Sequence, residues 1–177
     1  MFEQGDALLV VDVFNTFDHE DAGSLLASFR ARAAAMHEAL SRARACGVPV
    51  VFVNDDHDTW DGDFPHLVRR ALAGPGGDAL AGLVPADGES RIVKHRYSAF
   101  DHTALDLLLD RLDVERIVIT GAATEACVVQ TAIDAREHGL KATILTDACA
   151  TTDEALEATA LRYARDVGGI RLVTVAG

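Results

Sequence analysis

The sequence predicts an α/β protein, a three-layer α/β/α sandwich around a six-stranded, mainly parallel sheet, and three observations carry that prediction. Short unbroken apolar runs recur along the chain, segments of helical period alternate with them, and most of the connections between the two are short. Strands that a sheet buries on both faces read as continuous aliphatic and β-branched runs, and strand–helix alternation with short links is the pattern of parallel pairing.

Ala7-Leu8-Leu9-Val10-Val11 opens the series and ends at Asp12. Val48 to Val53 follows and gives way to Asn54-Asp55-Asp56, and the shorter Arg91-Ile92-Val93 stops at Lys94. Arg116 to Thr120 ends at Gly121, Ala142 to Leu145 ends at Thr146-Asp147, and Ile170 to Val175 supplies the sixth strand. Between them, Ser24 to Ala45 sets Leu25, Phe29, Ala33, Met36 and Leu40 on one stripe and stops at Cys46-Gly47, a pair suited to a helix end. Asp101 to Leu112, Glu125 to His138 and Asp153 to Val167 have the same character, the last two stopped by Gly139 and by Gly168-Gly169. Asp56 to Ser90 breaks the rhythm: Pro65, Pro75, Pro85 and clustered glycines predict a long irregular crossover with one short helix near Leu67 to Leu72. With no internal repeat and no linker, residues 1–177 read as a single domain.

At 177 residues and 49% hydrophobic content the chain can bury a full core. Its apolar stretches fall far short of the roughly 20 residues a membrane helix needs, and Met1 to Asp6 lacks the basic start of a signal peptide. A cytoplasmic protein without a membrane partner is expected. A formal charge of −12 with no basic patch argues against nucleic acid and leaves a small molecule as the expected partner. Three scattered cysteines, Cys46, Cys127 and Cys149, do not make a disulfide scaffold.

Ligand crevices in open parallel sheets lie beyond the carboxyl ends of the strands. Asp12 is the first polar residue after strand one, Lys94 the first after strand three, and Cys127 falls in the first turn of the helix after strand four. Singly, Asp12 reads as a turn cap, Lys94 as a solvated strand end and Cys127 as a small buried hydrophobe. Together they supply what a thiol nucleophile needs: a helix N-terminus and an ammonium pull a cysteine from its free pKa near 8.5 towards neutrality, and a carboxylate relays the proton. Amides at the start of the same helix point to where an oxyanion would form.

Gly121-Ala122-Ala123-Thr124-Glu125-Ala126-Cys127-Val128, Lys94-His95-Arg96-Tyr97-Ser98-Ala99-Phe100 and the loop from Asp12 to Phe17 are similar to the nucleophile, lysine and aspartate segments of the isochorismatase-like cysteine hydrolases. That superfamily includes nicotinamidases and N-carbamoylsarcosine amidases, and the resemblance runs over nearly the whole chain. It implies an Asp12, Lys94 and Cys127 triad, a cis peptide between Ala122 and Ala123, an oxyanion hole from the amides of Ala123 and Cys127, and a homo-oligomer, either dimer or tetramer. The reaction it implies is hydrolysis of a small amide-like, non-peptide C–N bond through a cysteinyl intermediate, with no cofactor.

Departures fall where a substrate is chosen. The family's aspartate loop usually carries Gln and Asp where this chain has Phe14 and Thr16. Phe14, Phe17, Trp60 and Tyr97, loop aromatics at one sheet edge like Phe100, form with Thr124 the expected substrate-binding set. Asp55-Asp56-His57, with His66 beyond it, imitates the Asp-x-His metal pair of nicotinamidases. The motif is short and the spacing to His66 tight, so no metal is expected. Cys149 and Cys46 read as structural. Two other readings keep the fold: vinyl-ether hydrolysis of an isochorismate-like compound, which on the resemblance does not require the thiol, and a non-catalytic doubly wound binding module. Against the latter, no G-x-G-x-x-G or G-x-x-x-x-G-K follows any strand.

Overall fold

Alternate residues of the first strand, β1 (Asp6–Val11), enter two separate cores, and that division organises the molecule. A computed structural model describes residues 2–56, 59–60 and 62–176. In it β1 joins β2 (Val50–Asp55), β3 (Ser90–Lys94), β4 (Arg116–Ala122), β5 (Lys141–Ala150) and β6 (Arg171–Val173) in one sheet of order β3-β2-β1-β4-β5-β6. Every neighbouring pair is parallel. Leu8 and Val10 pack with Leu25, Phe29, Met36 and Leu40 of α1 (Ala22–Cys46) and with α2 (Phe64–Ala73) and α3 (Gly77–Leu80). Ala7, Leu9 and Val11 face the other way, towards α4 (Leu105–Arg111), α5 (Val129–Glu137) and α6 (Glu154–Asp166). Each fully buried Leu or Val adds about 1.5–3 kcal/mol, so a strand with no polar interruption is the stable solution between two helical layers.

The helix limits follow their caps. Gly47, at φ 68°, closes α1 in the left-handed conformation and donates its N–H to the Ala43 and Arg44 carbonyls. From 62 to 90 the crossover is more ordered than its prolines and glycines predict. Asp63 accepts the N–H of His66 and Pro65 occupies the first turn, so α2 begins at Phe64, and α3 and a short 3-10 turn at Ala81–Leu83 follow. Helix α4 begins later than predicted, because Thr103 takes the N–H of Leu105 and turns the preceding residues. The helix predicted from Glu125 to His138 is divided: Thr124–Val128 forms one widened π turn and α5 continues it. β5 runs to Ala150, beyond the predicted stop at Thr146-Asp147, past an irregular pairing between Ile119 and Gly121. β6 is shorter than predicted, three residues at the edge.

The order of connection reverses between β1 and β4, and this switch point puts the loops after those strands beside one another. The two strands also touch there. A Cβ on Gly121, at φ 135°, would come within 1.9 Å of the Val11 carbonyl oxygen, so only glycine fits. Among the described residues no helix is long and apolar enough to cross a membrane.

Candidate active site

Asp12, Lys94 and Cys127 converge at the carboxyl edge of the sheet. Asp12 leaves β1 at φ 48°, a left-handed conformation that Asp adopts more readily than bulkier residues. Its N–H is bonded to the Val53 carbonyl, and its Oδ1 accepts the N–H of Asp55 at 2.6 Å. Asn54, 1% exposed, straps the same loop to β2: Oδ1 takes the N–H of Phe14 at 2.8 Å and Nδ2 donates to the Phe14 carbonyl at 3.1 Å. Lys94 ends β3 and is 1% exposed. Its Nζ lies 2.7 Å from Asp12 Oδ2, donates to the Arg96 carbonyl at 2.8 Å and stands 3.5 Å from Cys127 Sγ. Asp12 Oδ2 thus faces the ammonium, and the same carboxylate acts on the Cys127 thiol by charge and hydrogen bond.

Charge in this cluster differs from the sequence expectation. Burial pulls the Lys94 ammonium down, but the Asp12 carboxylate and the Cys127 sulfur beside it outweigh burial and hold it above its ordinary value. Burial, followed by the Asp12 charge, pushes the Cys127 thiol up, and Lys94 only partly offsets the two. That direction is opposite to the pull expected from a helix N-terminus and a lysine, because desolvation disfavours the anion and a carboxylate repels it.

The expected substrate-binding set divides. Trp60 and Tyr97 are each 70% exposed, and the Trp60 ring stacks on His95 with centroids 3.9 Å apart and planes at 11°. Phe14 and Phe17 are core residues instead. Phe14 packs on Phe52 and edge-on to Phe64, and Phe17 packs edge-on to Phe29, because both rings turn inward to the α1–α3 layer. Thr124 is also corrected: it is wholly buried, with its hydroxyl 2.9 Å from Glu157 Oε1 and 3.1 Å from the Ala150 carbonyl. Phe100 is buried and stacks on His138. His57, part of the metal-like motif, lies outside the described residues. Its neighbour Asp56 is buried and faces His95 Nδ1 at 3.1 Å. Cys149 is fully buried and Cys46 is exposed at the end of α1.

The peptide between Ala122 and Ala123 is cis. Ala123 and Cys127 lie on the turn that also presents Sγ. Sequence reading missed Arg32, Glu125 and Glu157, which hold this turn from behind. As first-turn acids of helices, Glu125 and Glu157 look like partners of the helix dipole, and nothing local links Arg32 to either. A cleft of about 260 Å³, lined by Arg42, Arg116, Thr143 and Arg171, lies at the opposite edge of the sheet, where β4, β5 and β6 begin. The carboxyl edge is marked by its chemistry.

Fold and side chains define the class: a doubly wound α/β scaffold with a thiol, an ammonium and a carboxylate gathered at its topological switch point. The chain belongs to the isochorismatase family, whose Isochorismatase domain model matches residues 6–175. It is 32% identical over 155 residues to the uncharacterised isochorismatase-family protein YaaI of Bacillus subtilis, covering 87% of this chain and 85% of that protein. An isochorismatase-family structure from Desulfovibrio vulgaris superposes with a TM-score of 0.80 at 30% identity, over 98% of this chain and 96% of that one. The N-carbamoylsarcosine amidase of Thermoplasma acidophilum has the same fold, with a TM-score of 0.75 and 26% identity over 98% of each chain. The protein is thus a hydrolase of this family, related to amidohydrolases.

Proposed function

We propose that the protein is a cysteine amidohydrolase that cleaves a small non-peptide C–N bond, with Cys127 as nucleophile, Asp12 as proton carrier and Lys94 as the charge between them. One observation carries the reading: a single buried ammonium lies 2.7 Å from a carboxylate and 3.5 Å from a thiol. The likeness to an amidase supports the choice of bond.

A resting thiol held above its ordinary value needs a base at the moment of attack. Asp12 takes the S–H proton as sulfur bonds to the carbonyl carbon, and the carbonyl electron pair moves to oxygen. The amides of Ala123 and Cys127 stabilise that oxyanion. Collapse breaks the C–N bond, and the leaving amine takes the proton from Asp12. A water then gives its proton to Asp12 and attacks the thioester, and the departing sulfur recovers that proton. Lys94 pairs with the carboxylate between steps and stabilises the transient thiolate. Trp60 and Tyr97 flank the entrance, and no metal takes part. The assembly is a dimer or tetramer, a reading supported by Leu156, Tyr163 and Val167 lying exposed along α6.

Incubation with small amides, ureas and isochorismate, read by ammonia and pyruvate release, tests the proposal. Ammonia or amine release that survives prolonged chelation is the expected result. Pyruvate from isochorismate, with Cys127→Ala still active, overturns the amidase reading and leaves the fold standing.

A further inference from the structure

Behind the nucleophile turn lies a partly buried polar network that the proposed chemistry leaves unused. Arg32 of α1 grips Glu157 of α6 with both prongs of its guanidinium: Nη2 donates to Oε2 at 2.7 Å, and Nη1 donates to Oε1 and to the Cys149 carbonyl. The Glu157 hydrogen bond, opposed by burial, holds the guanidinium above its ordinary value. Glu157 is 8% exposed, and its Oε1 also faces the hydroxyl of the wholly buried Thr124 at 2.9 Å. Thr124 opens the turn whose fourth residue is Cys127. The next residue is held as well: the Glu125 carboxylate accepts from the Thr151 hydroxyl at 2.7 Å, the Thr152 N–H at 2.8 Å and the Thr152 hydroxyl.

Stability alone gives a weak reason for such an arrangement. A buried ion pair replaced by well-packed apolar residues often leaves a protein equally or more stable. What an apolar pair would lack is direction. The guanidinium fork fixes the carboxylate in one plane, the carboxylate fixes a single hydroxyl, and that hydroxyl belongs to the residue between Ala123 and the rest of the turn.

We propose that Arg32 and Glu157 are positioning residues which, through the Thr124 hydroxyl, set the turn carrying the Ala123 and Cys127 amides and the Cys127 thiol. The inference rests on the amidohydrolase reading for its kinetic consequence, but not for its effect on the thiol itself. The end of β5 and α6 meet at the Thr124 hydroxyl, and α1 reaches it through the Arg32 grip on Glu157. A displacement of about 1 Å at a reacting group can cost a hundredfold in rate.

The test combines Thr124→Val, which removes the hydroxyl at nearly constant volume, with Thr124→Ser, which keeps it, and with the double variant Arg32→Met plus Glu157→Leu. Thr124→Val and the double variant should lose kcat by on the order of 10- to 100-fold on the best amide, with KM within about 3-fold of the parent. Thr124→Ser should recover most of the loss. Iodoacetamide labelling of Cys127, read site by site by mass spectrometry against pH, needs no substrate, and Thr124→Val and the double variant should both shift its profile. Unchanged kcat and an unchanged labelling profile in Thr124→Val and the double variant overturn the proposal. So does a loss that tracks the folded fraction and is not recovered by Thr124→Ser. If the parent cleaves no amide, the functional reading fails and the labelling profile alone decides the positioning role.

Discussion

The turn after β4 and the far end of β5 lie side by side, Gly121 pairing with Cys149 in the sheet, and each region presents a cysteine whose thiol burial pushes up. Their surroundings part from there. Cys149 is fully buried, and its thiol donates to the Ile119 carbonyl at 3.7 Å. Cys127 is half-buried, with the Lys94 ammonium at 3.5 Å and the Asp12 carboxylate raising its pKa by charge and hydrogen bond. Burial by itself silences a thiol. A base that can accept its proton, and a cation that can tolerate the resulting charge, make a silent thiol usable on demand.

The comparison breaks if the two cysteines respond alike to substitution. Cys127→Ala should abolish turnover, a loss of roughly 10⁴-fold or more, while substrate binding persists. Next in size is Lys94→Met. It should lower kcat by on the order of 10²- to 10³-fold and, by leaving the Asp12 carboxylate buried without its cation, cost about 3–5 kcal/mol in chemical denaturation.

Labelling against pH sharpens the contrast. Iodoacetamide should reach the exposed Cys46 first, Cys127 more slowly and Cys149 last, with the Cys127 rate rising through a midpoint above the ordinary thiol value near 8.5. Asp12 raises that thiol and Lys94 lowers it, so Asp12→Asn should move the midpoint down and Lys94→Met should move it up. A midpoint at or below the ordinary value would restore the poised thiolate. The smallest effect belongs to Cys149→Ala, with kcat within about 2-fold of the parent and roughly 1–2 kcal/mol lost to the small cavity left in the core.

The sheet was legible because strands buried on both faces leave no polar residue to obscure them, as in Ala7 to Val11 and Ile117 to Ile119. The second half of β5 was not, since Thr146 and Asp147 read as a stop. In the structure the Thr146 hydroxyl donates to the Val173 carbonyl and Asp147 accepts the Val175 N–H, so the polar pair ties β5 to the chain after it and the strand continues. Asp12 and Lys94 were legible because each is the first polar residue after an apolar strand run, and Cys127 because it falls in the first turn of the helix after strand four. The direction of the neighbouring side chains was not. Phe14 and Phe17 follow Asp12 closely, but the Asn54 strap and the α1 layer turn them inward. Arg32 and Glu157 are separated by 125 positions, and only the packing of α1 against the end of β5 and the start of α6 brings them together.

The absent Cβ of Gly121 has a consequence for how this scaffold can be altered. Val11 and Gly121 meet backbone to backbone, so the strands bearing Asp12 and the Cys127 turn cannot shift independently, and any side chain placed at 121 would force them apart. Trp60 and Tyr97 stand on exposed loops that share none of this contact. On the proposed reading, in which Trp60 and Tyr97 flank the entrance, changes of substrate range belong at those two exposed rings and not at the contact between Val11 and Gly121.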